Sequence, residues 1–201
     1  TRFLLLPILN WINYWMRRSE MICDKLGECL DRQILKQPME SCANNNVECI
    51  EVSDNRPYVK CEEKGKKYIL ENTEKNHVIS YKIDGGVISQ DKTVPQGICK
   101  CDNMFVVNGQ ECDAILIELK GVDIVHSLKQ IDGTLIQFKG FFSQFKHVYG
   151  RVVVSSSVPN IKANPAYVKL EKKIRTVYKG NIKISKVQFN EKDTELAQIK
   201  K

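Results

Sequence analysis

Between Cys101 and Gln130 the chain reads CDNMFVVNGQECDAILIELKGVDIVHSLKQ, and three charged residues interrupt its apolar runs. Asp102 precedes MFVV, Glu118 breaks AILIEL, and Lys120 follows two residues later. Burying a carboxylate in an apolar strand is unfavourable unless something pairs with it. A divalent metal is the simplest such partner. Two carboxylates and a strand carbonyl, here Asp102, Glu118 and the main chain of Leu119, are hard oxygen donors suited to Mg²⁺ or Mn²⁺ rather than Zn²⁺. An ion held there would acidify its water and neutralise charge on a phosphate during an in-line displacement. Lys120 would orient the attacking water or stabilise the developing charge.

These groups can act together only if they share a face. Side chains alternate along a strand, so Glu118 and Lys120 do. The position of Asp102 depends on the turn at Asn108-Gly109. A two-residue loop pairs Asp102 with Ile115 and turns it away from Glu118. A three-residue loop, Val107-Asn108-Gly109 with a left-handed glycine, pairs Asp102 with Ala114 and brings all three groups to one face. Both turns suit the sequence, and the catalytic reading requires the odd one or an equivalent bulge. Asp113 falls on the opposite face in either case. From Asp123 the apolar residues Ile124, Leu128, Ile131, Leu135, Phe138, Phe142 and Phe145 recur at helical spacing. Gln130 lies off that stripe, placed to reach back towards the acids.

The pattern D-x(15)-E-x-K, on two adjacent strands followed by a helix bearing Gln, resembles the PD-(D/E)XK nuclease superfamily. The string KCDNMFVV…ILIELKGVDIVHSLKQI is similar to a small bacterial branch of it. The resemblance covers roughly residues 82–189. It implies a restriction-endonuclease-like core and Mg²⁺- or Mn²⁺-dependent cleavage of phosphodiester bonds, in DNA ahead of RNA. It makes Asp102 and Glu118 metal ligands, Lys120 the catalytic lysine and Gln130 the helix residue. Cys101 stands where the superfamily's proline would be. No acid is identifiable from an earlier helix, the candidates being Glu20 and Glu28.

The chain has 201 residues and a net charge of +7. From Lys162 to Lys201 there are eleven Lys and Arg against four Asp and Glu, so this stretch carries the whole surplus. A localised surplus suits a phosphate backbone. The eight cysteines lie mostly in strand-like runs and read as reduced, in a cytoplasmic protein. The alternatives are a disulfide framework, or a zinc site of Cys99, Cys101 and Cys112, for which no fourth ligand is evident.

Residues 1–20 read as an N-terminal arm, able to meet a membrane surface or partner, or as a non-native extension. FLLLPIL is too short to span a bilayer and lacks a signal-peptide cleavage pattern. Residues 21–190 read as one domain and 191–201 as a frayed tail. Leu26, Cys29, Leu30 and Ile34 mark a first helix, ended before Pro38. Strands follow at Tyr58–Glu62, Lys67–Asn72, Val78–Ile88 and Val148–Ser155. Asp84, before Gly85-Gly86, is an extra metal ligand, a substrate-facing acid or a turn cap. Asn164-Pro165 opens a helix that Gly180 closes, with Tyr167, Leu170, Ile174 and Val177 as its apolar stripe. Lys169, Lys172 and Lys173, with Arg175, form either a phosphate-contacting ridge or a solvated lysine face. A last strand is expected around Ile182–Val187. The order of elements implies a mixed α/β fold, a central mixed sheet flanked by helices. Expected partners are nucleic acid, DNA first, with a homodimer as a further option. A catalytically inactive nucleic-acid- or protein-binding module on the same fold is the alternative function.

Overall fold

The computed structural model describes residues 23–37, 49–88, 99–156 and 160–199. The 1–20 arm and Glu20 lie outside these residues. Helix α1 (Leu26–Ile34) comes first, then strands β1 (Ile50–Asp54), β2 (Tyr58–Glu63), β3 (Lys66–Glu71) and β4 (His77–Lys82). The central stretch forms β5 (Asn103–Asn108), β6 (Cys112–Leu119) and α2 (Ile124–Gln137). A short α3 (Lys139–Phe142), β7 (His147–Val154), α4 (Pro165–Tyr178), β8 (Ile182–Lys186) and β9 (Gln188–Lys192) complete the order.

A six-stranded mixed sheet runs β1-β4-β5-β6-β7-β8, and a three-stranded sheet runs β2-β3-β9. Within the large sheet, neighbours from β1 to β6 pair antiparallel, while β6, β7 and β8 are parallel. The parallel pairs are joined through α2 and α4, as parallel neighbours require. Alternation sends the two faces of the large sheet to two apolar cores. Met104, Val106, Ala114, Leu116, Val148 and Val152 pack against Leu30, Leu128, Ile131, Leu170 and Ile174 of the helices. Phe105, Val107, Ile115, Ile117, Leu119 and Val153 pack against Val59, Tyr68 and Leu70 of the small sheet. The flanking helices therefore cover one face, and the second sheet covers the other.

Local chemistry explains the helix ends. Asp123 caps α2 by accepting from the His126 N–H at 2.9 Å, and Asn164 caps α4 by accepting from Ala166 N–H at 2.9 Å. The long apolar periodicity after Asp123 breaks at Phe138, so two helices share one stripe. In α4 the third contact is Tyr178 rather than Val177, which is exposed, because 3.6 residues per turn put position 178 over Ile174.

The expected 78–88 strand stops at Lys82. Its remainder folds into a tight turn in which Val87 N–H donates to Lys82 O at 2.9 Å. The expected last strand is β8, and a further strand, β9, follows it in the other sheet after Val187. Its φ of 63° swings the chain over, while its N–H bonds Val154 O and its carbonyl accepts from Lys67 N–H. The tail expected from residue 191 is packed through residue 196. Glu191 is in β9, Asp193 accepts from Thr73, Glu74 and Asn76, and Leu196 is buried. Among the described residues no helix is long and apolar enough to cross a membrane.

Candidate active site

The β5–β6 hairpin has the odd loop, but not at the residues expected. Asn108 pairs with Cys112, leaving Gly109-Gln110-Glu111 as the connection. Gly109 is not left-handed here. A Cβ on it would lie 2.5 Å from the Asn76 side-chain oxygen, so close approach, not backbone freedom, explains the glycine. Met104 pairs with Leu116 and Asn103 with Ile117. One step further, Asp102 falls opposite Glu118, not Ala114, on the helix-covered face. Asp113 is on the other face, where it bonds His147 Nδ1 at 2.9 Å.

Asp102 lies at the mouth of the hairpin, where antiparallel pairing ends. Its Oδ2 accepts from the Leu119 N–H at 2.6 Å. The N–H and C=O of an extended residue point the same way, so Leu119 also turns its carbonyl towards Asp102. Glu118 is 1 % exposed, and neither of its carboxyl oxygens has a hydrogen-bond partner. Lys120 Nζ stands 4.0 Å from Glu118 Oε1, half in solvent. Asp102, Glu118 and Lys120 are therefore brought together, with the main chain of Leu119 among them.

The electrostatics follow from that crowding. Burial pushes the Asp102 carboxyl up to about 6, against the Leu119 N–H and Lys120, which favour its charged form. Burial, then the neighbouring Asp102 carboxylate, pushes Glu118 up to about 9; Lys120 and the Asp102 main-chain N–H, which approaches without reaching hydrogen-bond geometry, oppose it. Both carboxyls are thus biased towards the protonated form, Glu118, the more enclosed, more strongly than Asp102. Glu63, at the end of β2, raises both acids further. Nothing in the local pattern points to it, because it comes from the second sheet and no periodicity says where that sheet packs.

Asp84 is close enough to raise Asp102, and it pairs with Lys100 Nζ at 3.0 Å. Gln130 accepts from the Lys100 N–H at 3.0 Å, two residues before Asp102. Glu28 pairs with Arg32 at 2.9 Å on an exposed turn of α1 and takes no part. Lys169, Lys172 and Arg175 are exposed on α4. Lys173 is half-buried and bonds Asp132 of α2, and Arg175 Nε lies 3.6 Å from Glu171. The ridge is thus three exposed cations, with one more bound across the helix pair. Since α4 follows β7 and runs back to the start of β8, its N-terminal half, with Lys169, lies towards the end of the sheet that carries the acids.

The oxygen chemistry of the trio fits a hard divalent ion, and the two orphaned oxygens of Glu118 are what such an ion would occupy. Among the described residues no three His, Cys, Asp or Glu side chains converge to hold a metal. The residues that would have to hold such an ion are Asp102 and Glu118, with the Leu119 carbonyl beside them. The zinc alternative is excluded by position, since Cys112 is at the turn end of the hairpin and Cys101 at its mouth. A cavity of about 610 Å³ opens elsewhere, between α4, β8 and β9, and none of the trio lines it. No family model matches the chain, and no curated protein or solved structure matches it either.

Proposed function

We propose that the protein is a metal-dependent nuclease hydrolysing phosphodiester bonds of nucleic acid, with DNA as the substrate that the resemblance implies. The observation that carries this reading is Glu118, an enclosed carboxyl without a hydrogen-bond partner beside a second acid and a lysine. A native fold rarely leaves a buried polar group unpaired without use for it. The mixed sheet with helices on one face is compatible with a restriction-endonuclease-like core.

Mg²⁺ or Mn²⁺, when bound, would supply an acidified water and charge neutralisation at the phosphate. Asp102, Glu118 and the Leu119 carbonyl would hold it. Binding would require Glu118 to give up its proton, which makes affinity rise with pH. Asp102 is already aimed by the Leu119 N–H. Lys120, half-exposed at the mouth of the hairpin, stabilises charge on the phosphate or orients the attacking water. Lys169, Lys172 and Arg175 contact flanking phosphates.

Cleavage of supercoiled and linear DNA with Mg²⁺ or Mn²⁺, compared with chelator, tests this in wild type, Glu118→Ala and Lys120→Ala. Cleavage should require the metal, vanish in the first variant and fall by about 10²–10³-fold in the second. Cleavage indifferent to both changes removes the site. The second reading, a non-cleaving nucleic-acid-binding module, draws on the lack of a third converging acid among the described residues. Its signature is salt-sensitive DNA retention with no cleavage under any metal.

A further inference from the structure

Helix α2 presents a second face besides its apolar stripe. Gln130, Gly133, Thr134 and Gln137 share it, Gln130 being three, four and seven residues from the others. All four meet the three residues that lead into Asp102. Gln130 Oε1 accepts from the Lys100 N–H at 3.0 Å. Thr134 Oγ1 accepts from the Cys101 N–H at 2.8 Å and donates to Gln130 O at 3.0 Å. Gln137 Nε2 donates to Cys99 O at 2.9 Å. Gly133 is where the segment comes closest, because a Cβ there would lie 2.5 Å from Cys99 O.

We propose that this face is a clamp that fixes the path of residues 99–101 and so delivers Asp102 to Glu118, making Thr134 and Gln137 positioning residues. Thr134 and Cys101 are fully buried, so water cannot replace their bond. Beyond the clamp, the Asp102 carbonyl accepts from Ile83 N–H at 2.9 Å, and its side chain accepts from Leu119 N–H at 2.6 Å. The segment is thus gripped on one side by a helix and on the other by strand ends. Gln130 acts through its oxygen on the main chain of Lys100. The consequence for catalysis rests on the nuclease reading, whereas the positioning of Asp102 does not.

The Leu119 amide reports the position of Asp102 directly, because Asp102 is its acceptor. Amide exchange at Leu119, read against core amides such as Val106, and Mn²⁺ affinity by calorimetry are measured on the full chain. In Thr134→Val and Gln137→Met, Leu119 should exchange roughly fivefold to tenfold faster than the core reference, as removal of one hydrogen bond implies. Mn²⁺ affinity should fall by about 10–100-fold, as for other residues that orient metal ligands. Thr134→Ser should restore both. Gln130→Glu should keep Leu119 protected, since a carboxylate still accepts from Lys100, whereas Gln130→Met should not. Unchanged Leu119 exchange in Thr134→Val and Gln137→Met overturns the clamp. If Thr134→Val fails to fold, Gln137→Met and Thr134→Ser decide. A wild type that binds no Mn²⁺ overturns the nuclease reading, and Leu119 exchange still judges the clamp.

Discussion

Two buried acids in this molecule are treated in opposite ways. Glu191 accepts from Tyr68 Oη at 2.8 Å, Lys183 Nζ at 3.0 Å and the fully buried Arg151. Arg151 directs its remaining donors to Gly150 O, Asn181 Oδ1 and Leu196 O at 2.9, 2.9 and 3.0 Å. Glu118 has no such partner set: neither oxygen is bonded, and one cation stands at 4.0 Å. Both sites cost hydration free energy. One is closed by protein donors and holds two sheets together; the other is enclosed without them. Burial of charge does not separate the two acids; the hydrogen-bond partners around each do.

Breaking the closed site should have the largest effect on stability. Arg151→Met leaves Glu191 short of its main partner, and unfolding free energy by urea titration should drop by about 3–5 kcal/mol. A loss below about 1 kcal/mol, the size of an exposed pair, would mean that the two acids are not so different after all.

The acid without hydrogen-bond partners should behave in the reverse sense. Glu118 has a folded-state pKa near 9 against an ordinary 4.5. A raised pKa contributes stability that is whole below about 4.5 and is lost as pH climbs towards 9. Metal-free protein should therefore grow less stable across that window. Glu118→Gln should flatten the trend above the Asp102 pKa of about 6 and stabilise the protein at alkaline pH by about 1–3 kcal/mol, because it removes a buried charge that has no hydrogen-bond partner. Thermal melts across the window between those two pKa values decide; a wild-type curve that rises with pH contradicts the assignment. Mn²⁺ at the alkaline end should raise the wild-type melting temperature by mass action and leave Glu118→Gln unmoved.

The smallest effect belongs to the exposed cations. Lys169→Gln with Lys172→Gln should weaken DNA binding evenly across sequences and lower the salt slope by about 0.9 for each phosphate no longer neutralised. Lys173→Gln should affect stability more than binding, because its ammonium is held by Asp132. An unchanged slope in the double variant would assign α4 to solvent.

How much of this is readable from residues alone follows from which interactions are local. The hairpin, the helix after Asp123, the Asn164 cap and the shared face of Glu118 and Lys120 follow from alternation and turn chemistry, whereas the face of Asp102 waits on the loop. The particular loop does not follow from either, because Asn76, whose side chain lies against Gly109, comes from outside the hairpin. Glu63 and the Glu191 network are invisible for the same reason. They depend on β9 leaving the large sheet at Val187 to pair with β3, a contact between residues 67–71 and 188–192. The clamp on α2 is half visible, since Gln130 stands out by type, while Gly133, Thr134 and Gln137 acquire meaning only once residues 99–101 lie against them.

The small sheet gives the molecule an order of assembly during translation. Arg151 is synthesised well before Asn181, Glu191 and Leu196, which later surround it. Until residues up to 196 have emerged, the Arg151 guanidinium lacks the Glu191 carboxylate and the Leu196 carbonyl, although β2 and β3 are already there to cover the face. Shortening the chain to residue 190 would remove two of those partners and the end of β9, and should send the product to proteolysis instead of yielding a smaller working protein.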